Sequence, residues 1–493
     1  MWLIDHQMNM QISNEFGQYF VRLPLKKAAK IIHGDALEKD WESIISKNDL
    51  SFIIGNPPFI GASVMTKFQK KQVINIFDNS NSSGLMDYVT AWYIKSAKYI
   101  QATKIKVGFV STNSIVQGEQ TSILWGQMLN RYGIKIHFAH RTFKWSNEAK
   151  GNAAVYCVIV GFANFDSNNK SIFEYEDIKG EAHELKVKNI NPYLVDAKDI
   201  FIDKRSKPIC NVPLMNRGNY AFDFGHLIFT EEEKNIFLLS EPSAARYFKE
   251  LLGGKELVNN ERRFCLWLVD IKPDDLRRMK YVLQKIELVK IDRLKSNDLG
   301  TKKLADKPYL FRDLKNPENY LALLHTSTNR RKYIIVVNKD GNSIPADTVL
   351  IIEKSSLYHF GVVSSFMHMT WVKSVCGRLG DGLRYSKDIV YNNYPWPENP
   401  NDKQVEAIET ATQKVLDARL LFPTSSLADL YDPLTMPSEL LKAHNALDKA
   451  VDLAYRPQAF TSEANRMVFL FELYEKYTAD LFTKEKTKKT KKK

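Results

Sequence analysis

A chain of 493 residues is long enough for two or three ordinary domains, and its 44% apolar content is that of a globular protein with buried cores. No run approaches the roughly 18 uninterrupted apolar residues of a membrane span, and "MWLIDHQMNMQ", with its early acidic and amide residues, lacks a signal-peptide pattern. The formal charge is +13; the last ten residues, "KEKTKKTKKK", contribute +6, so the body keeps +7, a balance suited to a polyanionic partner. Cys157, Cys210, Cys265 and Cys376 show neither paired nor metal-type spacing. They read as reduced thiols of a cytoplasmic protein, with no metal site expected.

From residue 1 to about 165, short apolar strands alternate with helices. "KIIHGDAL" (30–37), "LSFIIGN" (50–56), "IKVGFVSTNS" (105–114), "IKIHFAHR" (134–141) and "NAAVYCVIVGFA" (152–163) read as strands. "GLMDYVTAWYIKSAKYI" (84–100) reads as a helix, and so does "QTSILWGQMLNRYG" (120–133), which Gly133 stops. The alternation predicts an α/β fold with a doubly wound, mostly parallel sheet whose strands are buried on both faces. From 166 to 400 the rhythm breaks into text rich in Asn, Asp, Lys and Pro. It carries strands such as "KYIIVVN" (332–338) and a helix over 356–375, as in a mixed α+β domain. Residues 401–483 are helical in pattern, and 484–493 form a Lys-rich tail expected to be disordered.

The chemically informative stretch is "SFIIGNPPFIG" (51–61). Two prolines cannot continue a helix or a central strand, so Asn56, Pro57, Pro58 and Phe59 form a rigid turn at a strand end. Ligands of open parallel sheets sit at such carboxyl ends. The prolines leave Asn56 and Phe59 little freedom to lose on binding. Phe59 offers a face for a flat heterocycle, while the Asn56 carboxamide and the Pro57 carbonyl offer two acceptors to an exocyclic NH2. An aromatic amine is a poor nucleophile because its lone pair is delocalised. Two acceptors gripping its hydrogens favour a pyramidal nitrogen aimed at an electrophile, for which a sulfonium methyl is the natural match. The plain alternative is a Pro-Pro turn capping a strand, with Phe59 in the core.

In order along the chain, "HGDAL", "NPPF", "MDYVTAWYIKSAKYI", "KVGFVSTNSIVQGEQ" and "FAHRTFKWSNEAKGNAAVYCVIVGF" resemble successive motifs of adenine-N6 DNA methyltransferases. Two further segments, "SLYHFGVVSSFMHMTWVKSVCGRLGDGLRYSKDIVYNNYPWPE" and "SLADLYDPLTMPSELLKAHNALDKAVDLAYRP", narrow the resemblance to the MmeI-like, type IIL restriction–modification enzymes. It spans residues 1–482. It implies a methyltransferase domain over 1–165, a target-recognition domain over 166–400 and a helical region over 401–483. It also implies double-stranded DNA as partner, S-adenosyl-L-methionine as methyl donor, and an adenine flipped out of the duplex. Asn56 and Pro57 would bind N6, Pro58 would stiffen the turn, and Phe59 would stack on the base. Phe143 or Trp145 would form the second aromatic wall, and Asp35 would lie near the cofactor adenine.

The chain departs from the family pattern in its cofactor loop. Neither "EFGQYF" (15–20) nor "GRLGDG" (377–382) matches the Gly-rich turn that holds the donor. The chain alone is therefore expected to bind the donor weakly. A separate upstream polypeptide carrying that loop and a nuclease would complete it. For target readout, Arg378, Gly380, Asp381, Gly382, Arg384 and Tyr385 in "GRLGDGLRYS" are the candidates. Arg262-Arg263, Arg277-Arg278 and Arg330-Arg331-Lys332 are candidates for phosphate contacts. Competing readings are a non-catalytic DNA-recognition fragment and a methyltransferase of protein glutamine.

Overall fold

A computed structural model describes residues 2–17, 30–80, 82–145, 155–175, 180–379 and 382–490. Met1–Leu50 forms one compact unit and Ser51–Lys493 the other. In the first, helix α1 (Trp2–Phe16) precedes an irregular stretch. The strand expected over 30–37 does not form. Among the described residues no strand is laddered to it, and Ile31 and Ile32 are exposed. The backbone instead closes a turn on Asp35, whose Oδ1 accepts from the Leu37 amide at 2.8 Å.

In the second unit, six strands among the described residues form one sheet. They are β1 (Phe52–Gly55), β2 (Lys106–Thr112), β3 (Lys135–Trp145), β4 (Val155–Ala163), β5 (Lys170–Tyr175) and β6 (Ala182–Val187), in the order β1-β2-β4-β3-β5-β6. β1 and β2 are parallel, as are β3 and β5, whereas β4 runs antiparallel to both β2 and β3. The sheet is therefore more mixed than expected, because β3 leads to β4 through too few residues for a parallel crossover. It also continues through Val187, past the boundary expected at 165.

Helices α2 (Lys67–Ile76), α3 (Thr90–Tyr99) and α4 (Glu119–Trp125) follow β1 and β2. Tyr93 of α3 stacks on Phe162 at 5.5 Å and meets Phe109 and Trp125 edge-on, which closes one face of the sheet. α4 passes into a π-helical turn, Gly126–Arg131, and ends at Gly133 with φ +61°. Among the described residues of this unit nothing covers the opposite face. Phe52 and Ile54 stand in register with Lys106 and Gly108, and are 64% and 84% exposed. On that face the Phe138 ring lies where a Cβ at Gly161 would have to sit, so position 161 can carry no side chain unless that ring moves.

The remainder is mixed, as expected. One four-stranded sheet contains Met215–Arg217, Asn319–Leu324, Val336–Asp340 and Val349–Glu353. The helix expected over 356–375 is two, Leu357–Ser364 and Phe366–Val375, because Ser365 turns extended and its hydroxyl caps the His368 amide. Helices Asp402–Leu420, Ser438–Tyr455 and Glu463–Thr490 follow. The last runs into the tail read as disordered. Lys is a good helix former, and adding residues to an existing helix costs little. One continuous core, from Tyr193 to Tyr474, joins these helices to the sheet. Elsewhere Arg293, fully buried, donates to the carbonyl oxygens of Phe222, Leu304, Lys307, Ala221 and Leu310 and so holds a loop-rich layer together.

Candidate active site

Because β1, β2 and β3 run parallel, the segments that follow them leave the sheet at one edge. That brings together Asn56–Phe59, the Asn113–Gln120 loop, and the Phe143–Trp145 end of β3. The side chain of Trp145 lies outside the described residues; Phe143 is half-buried, 5.5 Å from Tyr175. Asn56 is exposed, Pro57 buried, Pro58 exposed and Phe59 half-buried. Among the described residues the Asn56 carboxamide makes no hydrogen bond within the chain. An exposed, unengaged amide beside a rigid turn is available to a ligand.

Asp87, which sequence reasoning passed over, tethers the exit of this turn. Its Oδ1 accepts from the Ala62 amide at 2.9 Å, and its Oδ2 accepts from the Ser114 hydroxyl at 2.6 Å. The Asp87 amide donates to Gln120 Oε1 at 3.1 Å, and the Tyr88 amide donates to the Ile60 carbonyl at 2.9 Å. The Asn113–Gln120 loop thus buttresses the Asn-Pro-Pro-Phe turn.

On its other side the same loop meets a hairpin made of Gly377–Leu379 and Gly382–Arg384. Arg378 Nε donates to Gln117 Oε1 at 2.9 Å, and the Gly118 amide donates to the Val375 carbonyl at 3.1 Å. Gly118 has φ +68°, and a Cβ there would stand 3.1 Å from Gly377 Cα, so only glycine fits. Between loop and hairpin lies a cleft of about 520 Å³, lined by Gln117, Glu119, Arg217, His325, Arg384 and Lys387 among others. Lys387 is paired with Asp388 and Arg217 with Asp347. Arg384 is exposed and has no carboxylate partner among the described residues. Burial, helped by Arg217 and Arg384, pulls His325 down to about 4, so its ring is neutral at neutral pH and can donate or accept.

Of the residues expected to read DNA, Arg384 reaches the cleft and Gly382 lies in the hairpin strand. Gly380 and Asp381 lie outside the described residues. Arg378 spends its Nε on Gln117. Tyr385 is corrected: it lines the cleft wall but is 2% exposed and its hydroxyl is held by His368 Nε2 at 2.8 Å, so it packs the hairpin's base and offers no free hydroxyl to a base edge. Arg217 and His325 were missed because only the tertiary fold brings them to the hairpin. Asp35 lies in the other unit, in its local turn.

Three family models match in order: the MmeI DNA-methyltransferase domain over residues 1–174, the MmeI target-recognition domain over 196–398 and the MmeI C-terminal domain over 400–482. A relative from Bacillus subtilis (strain 168), named DNA methyltransferase A, is 38% identical over 484 residues. That match covers 97% of this chain and 54% of the relative. The solved structure of the type IIL restriction–modification enzyme MmeI in complex with DNA is 48% identical, with a TM-score of 0.85. It is matched over 97% of this chain and 64% of its own. The chain thus spans little more than half the length of its curated relative. By the order of its three domains and the fold they build, the chain belongs to the MmeI-like, type IIL restriction–modification family.

Proposed function

We propose that this chain is the base-modifying and target-reading part of a site-specific DNA adenine-N6 methyltransferase in a restriction–modification system. The observation that carries the reading is the exposed, unengaged Asn56 carboxamide on a Pro-Pro turn at the carboxyl edge of the sheet, buttressed by a loop that also lines the basic cleft. The substrate is double-stranded DNA, met in the cytoplasm, with the target adenine turned out of the stack. Asn56 Oδ1 and the Pro57 carbonyl accept from the two N6 hydrogens, so the nitrogen lone pair projects away from the ring plane. Phe59 holds the base by its face, with Phe143 as the candidate second wall. Readout falls to the hairpin around Gly382 and Arg384, with Arg217 and His325 across the cleft.

Methyltransferases of this family imply S-adenosyl-L-methionine as donor, which would supply the methyl group to that nitrogen. The described residues do not by themselves fit it. No Gly-rich strand-to-helix turn occurs among them, and Asp35 uses a carboxylate oxygen to close its own turn. The open sheet face with Phe52 and Ile54 supports a complementing α/β segment, on the same or a separate polypeptide, that brings the cofactor loop.

Sequencing for N6-methyladenine in the DNA of cells expressing the chain together with such a segment tests the proposal. One methylated motif is expected, and Asn56→Ala should lower its methylation rate by roughly 100-fold or more. Unmodified DNA, or an unimpaired Asn56→Ala variant, would refute it.

A further inference from the structure

The basic clusters singled out in the sequence look alike there, but their surroundings in the fold differ. Arg263 grips the buried Glu256 with two bonds, 2.6 and 3.0 Å, and Arg262 pairs with Glu231 at 3.1 Å. Arg277 pairs with Asp274 at 3.2 Å, Arg330 reaches Asp432 at 3.6 Å, and Arg278 is exposed. Lys332 lies over the rings of Tyr333 and Phe366. Arg331 is the exception. Among the described residues its Nε is buried with no hydrogen-bond partner, and its Nη1 reaches only Ser327 Oγ, at 3.5 Å.

Arg293 shows what a settled buried arginine looks like in this protein. Its Nε, Nη1 and Nη2 all donate to carbonyl oxygens. A buried N–H left unpaired needs an explanation, and a polar group that binds at the pocket wall is one. Arg331 lines such a pocket, of about 580 Å³, with Lys255, Thr326, Ser327, Thr328 and Thr348. Of the carboxylates there, Glu256 is neutralised by Arg263, and Glu261 stands at the same wall. Ser327 Oγ accepts from Arg331 and Thr328 Oγ1 accepts from the Arg330 amide at 3.3 Å, so both hydroxyls keep their protons to donate. Burial lowers the guanidinium's proton affinity, as expected of a cation short of partners, and Asp432 acts the other way.

The strand register says what the pocket faces. Thr326 pairs with Arg384 and Ser327 with Leu383, antiparallel, so the strand runs toward the Gly382 end of its partner and Thr328 follows in that direction.

We propose that this pocket seats one backbone phosphate of the bound DNA, the phosphodiester beside the base step that the hairpin reads, with Arg331 Nε and the Ser327 and Thr328 hydroxyls as donors. The proposal rests on the hairpin being the DNA-reading element. It predicts that a single ionic contact and its ordered donors are lost when Arg331 is replaced.

The test measures binding of the full chain to a fluorescent 30-base-pair duplex across a salt series. In Arg331→Met the slope of log K against log salt should shrink by about 0.9, the value for one phosphate. Arg331→Lys should keep most of the slope while binding several-fold more weakly. The double variant Ser327→Ala/Thr328→Val, which keeps Arg331, should lose affinity about 3- to 10-fold at unchanged slope and serves if Arg331→Met does not fold. Wild-type slope and affinity in these variants overturn the proposal. If the unaltered chain does not bind the duplex, the DNA reading fails and the phosphate site with it. If inorganic phosphate at constant ionic strength raises the thermal midpoint of wild type but not of Arg331→Lys, while the duplex slope is equal in both, the pocket binds free phosphate and the proposal is wrong.

Discussion

The strand Phe52–Gly55 of the six-stranded sheet and the strand Val349–Glu353 of the region matched by the target-recognition model are both short apolar runs. In the first, Phe52 and Ile54 are largely exposed. In the second, Val349, Leu350, Ile351 and Ile352 are all buried, because strands flank it on both sides and helices close over it. Equivalent text gives opposite environments, so burial here is decided by what the sheet is packed against. The recognition region supplies its own cover. The six-stranded sheet covers one face with Tyr93, Trp125 and their helices, and among the described residues Phe52 and Ile54 on the other face stay exposed.

The contrast can be broken hardest at Trp371, which is fully buried, donates to the Val390 carbonyl, and meets Phe471 and Tyr474 at 5.9 Å. Trp371→Ala should cost about 3–5 kcal/mol, read as a lower urea midpoint for the recognition region. A smaller loss than about 1 kcal/mol would mean that this core is not the continuous one described.

A second, pH-dependent effect lies at Asp448, which accepts from the Phe366 amide at 2.7 Å and the Tyr333 hydroxyl at 2.9 Å. Burial raises its carboxyl from 3.8 to about 6; those two bonds and Lys332 oppose the rise, and Asp452 adds to it. The folded state therefore holds this proton more tightly than the unfolded chain. The stability it contributes is full below about pH 4 and is lost as pH rises through 6. Wild type should gain up to about 3 kcal/mol relative to Asp448→Asn between pH 7 and 4. A flat difference across that range would show that the carboxylate is charged throughout.

The smallest effect should come from the open face. Ile54→Ser is expected to change the chain's own unfolding free energy by less than about 0.5 kcal/mol, as surface substitutions do. It should weaken association with a complementing segment. A large loss in the isolated chain would show that the face is already covered.

The Asn-Pro-Pro-Phe turn was legible because two prolines after an apolar run have few structural uses, and the alternating pattern placed it on a strand end. The helix stop at Gly133 was legible for a similar local reason. What escaped depends on contacts distant in sequence. "KIIHGDAL" has strand composition, yet it finds no ladder partner among the described residues. Tyr385 neighbours the exposed Arg384, but alternate residues of an extended chain point to opposite sides, so Arg384 is exposed while the Tyr385 hydroxyl is held by His368 at the cleft wall. Gln117 and Arg378 are 261 positions apart, and neither carries a local sign of the other.

The target-recognition and C-terminal descriptions meet near residue 399, but the protein's interior does not divide there. Trp371 rests on Phe471 and Tyr474, and Tyr333 on Asp448 and His444. A recombination event joining one lineage's recognition segment to another's C-terminal helices would leave both halves of that interior mismatched. Exchange of the whole stretch from about 188 to 482 as one piece would keep that interior matched, whereas a junction at residue 399 would not.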